Sequence, residues 1–128
     1  MGKIIIYYYS HDCYFSDEAK KIGIYLSKIP NANIKVELYP IERNNFLKIN
    51  ELKNKYNHNT FPIIIYHNVK NEDLLVGGYN DFQLILDFVI KNKNINLQDY
   101  KKSIILNNDK SNGKLRLTYY LLKKLSKK

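Results

Sequence analysis

The order of apolar patterns along the chain predicts an α/β fold of order β-α-β-α-β-β-α, with a mixed four-stranded sheet flanked by helices and a C-terminal extension beyond it. Three observations carry the prediction. An Ile- and Tyr-rich run, a helix-period stretch and an alternating strand pattern follow one another directly, which is the order of a βαβ unit with a parallel strand pair. Two short apolar runs around a polar turn then read as a hairpin. Apolar residues at helical spacing recur in three separate stretches before residue 93.

Lys3 to Tyr9 is apolar at successive positions, the pattern of a central strand buried on both faces. After Ser10, His11 and Asp12, the residues Phe15, Ala19, Ile22 and Leu26 fall on one helical face, so a helix begins at Cys13 and stops before Pro30. Ile34 to Tyr39 alternates Ile34, Val36 and Leu38 with Lys35, Glu37 and Tyr39, a half-buried strand ended by Pro40. Phe46, Ile49, Leu52 and Tyr56 mark a second amphipathic helix over about 44–56. Pro62 opens the strand Ile63 to Tyr66, a turn runs from His67 to Asp73, and Leu74 to Gly77 returns as the hairpin's second arm. Phe82, Ile85, Leu86 and Val89 define a third helix from Asn80 to Lys91.

Residues 1–93 thus form one domain and residues 94–128 an extension. In the extension, Leu97 to Leu106 has helical spacing, while Ser103 to Leu106 and Lys114 to Tyr120 around Asn112-Gly113 also fit a hairpin. Leu115, Tyr119, Leu122 and Leu125 make one face of a basic amphipathic helix, and a helix packed on the domain is the favoured reading.

With 45% hydrophobic residues, the 128-residue chain can bury one core. No apolar run approaches the ~20 residues of a membrane span. Ile4 to Tyr9 is too short for the core of a signal peptide. The single cysteine, Cys13, excludes an internal disulfide and fits a reducing compartment, so a cytoplasmic location is expected, the host cytoplasm or the virion if the source is viral. The net charge of +9 is uneven: residues 1–94 hold 12 basic and 10 acidic side chains, and residues 95–128 hold 9 and 2. The extension therefore reads either as a phosphate-binding surface for nucleic acid or as a packed helix with a solvated basic face. Asn, Ile, Lys and Tyr, all with AT-rich codons, make up about half of the chain, so part of the lysine excess reflects genome composition.

Cys13 directly follows a buried strand and opens a helix, where unpaired backbone N–H groups favour an anion. A thiol in that place is either a reactive group stabilised as thiolate or an inert core side chain. Asp12 opposes a neighbouring negative charge or caps the helix with its carboxylate. His11 acts as a second cation or as a surface hydrogen-bonder. His11, His58 and His67 have no metal-ligand spacing with Cys13, and no Gly-rich phosphate loop follows a strand, since Gly77-Gly78 leaves a hairpin.

The element order, the Cys13-Tyr14-Phe15-Ser16 segment at the strand-to-helix junction, Thr60-Phe61-Pro62 before the third strand, and Gly77-Gly78-Tyr79-Asn80-Asp81 before the last helix together resemble a glutaredoxin over about residues 3–92. The resemblance implies a thioredoxin-like fold. It makes Cys13 the nucleophile that forms a mixed disulfide with glutathione, and Ser16 the replacement for a resolving cysteine, as in a monothiol member. It implies a cis Phe61-Pro62 bond supported by Thr60, with the Phe61 backbone pairing with the cysteinyl part of glutathione. Tyr14 and Pro62 would line the tripeptide, Gly78 would let the backbone approach it, and Asn80 and Asp81 would hold its γ-glutamyl end. Ser10 stands where the family has a lysine for the glycine carboxylate. Tyr14 stands where the iron-sulfur class has glycine, which makes a bridging [2Fe-2S] cluster a secondary reading.

The implied activity is thiol-disulfide exchange on glutathione mixed disulfides, with glutathione as co-substrate, a glutathionylated or disulfide-bonded protein as partner and no metal. The alternative is a non-catalytic binding or structural module of the same fold. It would engage nucleic acid, an acidic protein or a virion component through residues 95–128.

Overall fold

β1 (Lys3–Tyr9) is paired on both edges, parallel to β2 (Lys35–Ile41) and antiparallel to β3 (Ile63–His67), and β3 pairs antiparallel with β4 (Asp73–Gly77). The sheet order is β2-β1-β3-β4. Among the described residues four helices flank it: α1 (Tyr14–Ser27), α2 (Phe46–Tyr56), α3 (Tyr79–Lys91) and α4 (Asn112–Leu125). The structure, a computed structural model, describes residues 2–30, 33–92 and 112–125 together with Asn94 and Gln98.

Because successive side chains of a strand point to opposite faces, the isoleucines of the two central strands serve two cores. Ile4, Ile6, Tyr8, Ile64 and Tyr66 pack with residues of α1, α3 and α4. Ile5, Ile63 and Ile65 pack on the other face with Ile49, Leu52 and Tyr56 of α2 and with Phe61. The run from Lys3 to Tyr9 lacks polar alternation because helices cover both of its faces.

The boundaries differ from expectation where a local interaction decides them. Pro40 does not end the second strand, which runs on to Ile41. β2 is an edge strand, and on its unpaired edge a missing N–H costs no ladder bond. The second helix starts at Phe46, not near 44, because the Asn45 side chain caps it by accepting from the Lys48 N–H at 3.2 Å. α1 starts at Tyr14 with Cys13 as its N-cap, and Asp12 is not the cap. The expected face of α1 meets the core through Ala19 and Leu26, with Ile22 partly buried against them, but Phe15 is 50% exposed and the buried face is completed by Ser16 and Gly23. Phe46 likewise faces outward at the open end of α2. In α3 the expected face, Phe82, Ile85, Leu86 and Val89, is the buried one.

Lys114 to Tyr120 is helical, not a hairpin arm. Its buried face is Leu117, Tyr120, Leu121 and Leu122, joined by partly buried Tyr119 and Leu125, so the apolar stripe centres nearer Leu121 than the Leu115 to Leu125 pattern suggests. The stripe is set by what α4 meets. Gly113 lies against the backbone of Leu74 and Leu75, where any Cβ would collide, so the first turn of α4 is pressed onto β4. Of the stretch Leu97 to Leu106, every residue except Gln98 lies outside the described residues.

Candidate functional site

The chain leaves β1 through a bend that sets the cysteine at the start of α1. Asp12 has φ of 57°, a left-handed backbone that aspartate tolerates better than most residues, and Cys13 then returns to an extended conformation at φ −138°. Arg43, in the connection after β2, holds this bend from outside. Its Nη2 donates to the Asp12 carbonyl at 2.7 Å, its Nε to the His11 carbonyl at 3.3 Å, and its guanidinium lies 4.4 Å from the centre of the Tyr9 ring. A cation therefore sits beside the cysteine loop although Ser10 replaces the lysine. No local pattern signals it, since Arg43 is 31 residues away in sequence from Asp12.

Cys13 is half-buried, and its carbonyl accepts the Asp17 N–H at 3.0 Å, the first bond of the helix. Its side chain makes no capping hydrogen bond. Ser16 is fully buried, and its Oγ accepts the Tyr9 N–H at 3.0 Å, tying the end of β1 to the first turn of α1. Ser16 is thus a support for the bend. Tyr14 is 67% exposed and touches Phe15 edge-on, with Phe15 in turn packed on Tyr79 of α3 at 5.6 Å between ring centres.

Beside this aromatic bridge lies a cavity of about 270 Å³. It is lined by Thr60, Phe61 and Pro62, by Gly78, Asn80 and Asp81, and by Phe15, His58 and Tyr79. Of the residues singled out from sequence, Thr60, Phe61, Pro62, Gly78, Asn80 and Asp81 come together here. Cys13, Tyr14 and Ser16 do not line the cavity; Phe15 takes the place expected of Tyr14. The Phe61-Pro62 bond is cis. Phe61 is buried, and its ring packs on Tyr9 at 4.6 Å.

His58 is a residue the sequence did not assign. Its Nε2 lies 3.2 Å from the Thr60 hydroxyl, and it faces Gly78, where a Cβ would sit 3.4 Å from that nitrogen. Gly77 carries φ of 130°, which only glycine adopts readily, and a Cβ there would strike the Asp81 carboxylate. The two glycines therefore do different work, one forming the turn and the other keeping the cavity open. The Tyr79 hydroxyl, raised above the ordinary phenol value by burial and by Tyr14, Glu18 and Asp87, donates to Gln83 Oε1 at 3.2 Å.

Asp81 has two partners already. One oxygen accepts the Gly78 N–H at 3.1 Å, closing the first turn of α3, and the other pairs with Lys114 Nζ of α4 at 2.5 Å. The carboxylate to which the resemblance gives a part in holding the γ-glutamyl end is thus paired with a cation of the chain itself. Among the described residues no group of three His, Cys, Asp or Glu side chains is placed to hold a metal ion. A [2Fe-2S] cluster takes four thiolates, and this chain offers only Cys13, so it does not supply the ligand set by itself.

The molecule is an α/β protein of thioredoxin-like fold, with a cleft between the first turns of α1 and α3 and the segment before β3. No family model, curated protein or solved structure matches the chain. Among the described residues no helix is long and apolar enough to cross a membrane.

Proposed function

We propose that the chain is a monothiol glutaredoxin-like thiol-disulfide oxidoreductase acting on glutathione mixed disulfides in the cytoplasm. The observation that carries the reading is the cavity formed by Thr60 to Pro62 and Gly78 to Asp81, with its wall completed by Phe15, two residues beyond the half-buried Cys13. The Cys13 thiolate attacks the glutathionyl sulfur of a protein mixed disulfide; the S–S bond breaks and the protein leaves as thiolate, taking a proton from solvent. A second glutathione thiolate then attacks the glutathionyl sulfur held on Cys13, releasing oxidised glutathione and restoring the Cys13 thiolate. Neither step needs a second cysteine in the chain.

Each part of the cleft has a matching task. The Phe61 backbone aligns the cysteinyl unit of the tripeptide, Gly78 leaves room for its backbone, and Asn80 with the first turn of α3 receives the γ-glutamyl carboxylate. Arg43 beside His11 and Asp12 supplies positive charge on the cysteine side, where Ser10 has none.

Mass spectrometry after treatment with oxidised glutathione tests the reading. The expected result is one adduct of about 305 Da on the native chain and none on Cys13→Ser, as thiol-disulfide exchange at a single thiol requires. Absence of the adduct at mildly alkaline pH overturns it.

The Lys114–Asp81 pair favours a second reading, a non-catalytic module of the same fold whose cleft is closed by its own extension and whose basic residues engage nucleic acid, an acidic protein or a virion component. An adduct that forms but is not released by reduced glutathione distinguishes this module from the enzyme.

A further inference from the structure

A second cavity, of about 310 Å³, opens between α4 and the turn that joins β3 to β4. Its volume falls within the roughly 300–1,000 Å³ of small-molecule sites. The turn is a rigid wall. The Asn68 side chain accepts the N–H groups of Lys70 and Glu72 at 2.9 and 3.0 Å, and the Asn68 N–H donates to the Glu72 carbonyl at 3.0 Å. α4 is equally fixed, through Leu117, Leu121 and Leu122 in the core.

The lining is specific in chemistry. Lys70 comes from the turn and Arg116, Lys123 and Lys124 from α4, four cations from two elements, with Glu72 as a carboxylate among them. Lys124 is held with its ammonium 5.7 Å from the centre of the Tyr120 ring. Tyr66 and Tyr120 pack on each other at 5.2 Å and form the apolar floor. Burial pushes the Tyr66 hydroxyl up to about 12 and raises that of Tyr120 as well, so both phenols stay neutral and add no negative charge to the cavity.

We infer that this cavity binds a nucleoside phosphate of mononucleotide size. The phosphates meet Lys70, Arg116 and Lys124, the sugar hydroxyls or an exocyclic amine meet Glu72, and the base lies against the tyrosine floor. A bare inorganic anion would leave the floor and Glu72 unused. The site is separate from the cleft beside Cys13 and does not depend on the redox reading.

The test is a titration of the full chain with ADP, followed by amide chemical shifts, with adenosine, inorganic phosphate and a ten-residue oligothymidylate as comparisons. The expected result is saturable one-to-one binding of ADP with shifts at Lys70, Glu72 and Arg116 to Lys124, and weaker binding of adenosine and of phosphate. If the natural source is a nucleic-acid strand end, the oligonucleotide binds with the same shifts and more tightly than ADP. Arg116→Gln and, separately, Lys70→Gln, both at exposed positions, should each weaken ADP by about ten-fold, the loss of one charge-assisted contact. Non-saturable shifts spread over all lysines, phosphate binding as tightly as ADP, or ADP affinity unchanged in both variants would overturn the inference.

Discussion

Lys114, in the first turn of α4, pairs its ammonium with the carboxylate of Asp81, in the first turn of α3. The extension thereby reaches the rim of the cleft and occupies the acidic side chain that a γ-glutamyl ammonium would use. Both side chains are about one-third exposed, so the pair contributes only about 0.2–1 kcal/mol and yields readily to a competing ligand. Lys114→Met should therefore leave the unfolding midpoint nearly unchanged. It should lower the oxidised-glutathione concentration needed for half-maximal adduct formation at Cys13 by a few-fold; an increase would show that Lys114 helps to bind glutathione.

Gly78→Val separates the cleft from the fold. A Cβ at Gly78 meets His58 and the Pro62 carbonyl at 3.4 and 3.7 Å, ordinary contact distances, so the backbone accepts a side chain while the branches fill the cavity. Stability should fall by no more than about 1 kcal/mol, the size of a poorer helix N-cap. Adduct formation should slow by about ten-fold or more through loss of alignment. Unchanged adduct kinetics would move the tripeptide site away from Gly78.

Leu121→Ala tests whether α4 belongs to the core. Leu121 is fully buried among residues of the sheet face shared by α1 and α3. Its truncation should cost about 2–5 kcal/mol in urea unfolding, whereas Arg116→Ala, at an exposed position on the same helix, should stay within about 0.5 kcal/mol. Equal small effects would mean that α4 adds little to the folded state.

Asp73 supplies a pH dependence. Burial raises its carboxyl, but hydrogen bonds from His67 Nδ1–H at 2.6 Å and the Tyr56 hydroxyl at 3.0 Å, with the nearby charges of His67 and Lys55, outweigh it and hold the carboxyl below its ordinary value of 3.8. A group lowered on folding stabilises the native state above its unfolded value, and that contribution is lost as pH falls through the lowered value. Acid unfolding monitored below about pH 4 should therefore be steeper for the native chain than for Asp73→Asn. Parallel acid profiles would remove Asp73 as a source of acid sensitivity.

The element order and the core of α3 could be read from periodicity because each depends on neighbours three or four residues away. Phe82, Ile85, Leu86 and Val89 bury together on one turn-spaced face. The cleft segments at Thr60 to Pro62 and Gly77 to Asp81 were legible as short motifs at element junctions. Phe15 and Phe46 were misread as core because aromaticity and spacing do not say which side of a helix meets the sheet.

Arg43, His58 and Lys114 had no local signal at all. Each acts on a partner set by packing: Arg43 on the Asp12 carbonyl, His58 against Gly78, and Lys114 on Asp81. Lys114 and Asp81 are 33 positions apart and meet because α3 and α4 pack on the same sheet face. Pattern along a chain specifies which residues seek burial and which junctions bend. The partners of an exposed charge follow from where whole elements dock, and that depends on the summed packing of both cores rather than on any short stretch of residues.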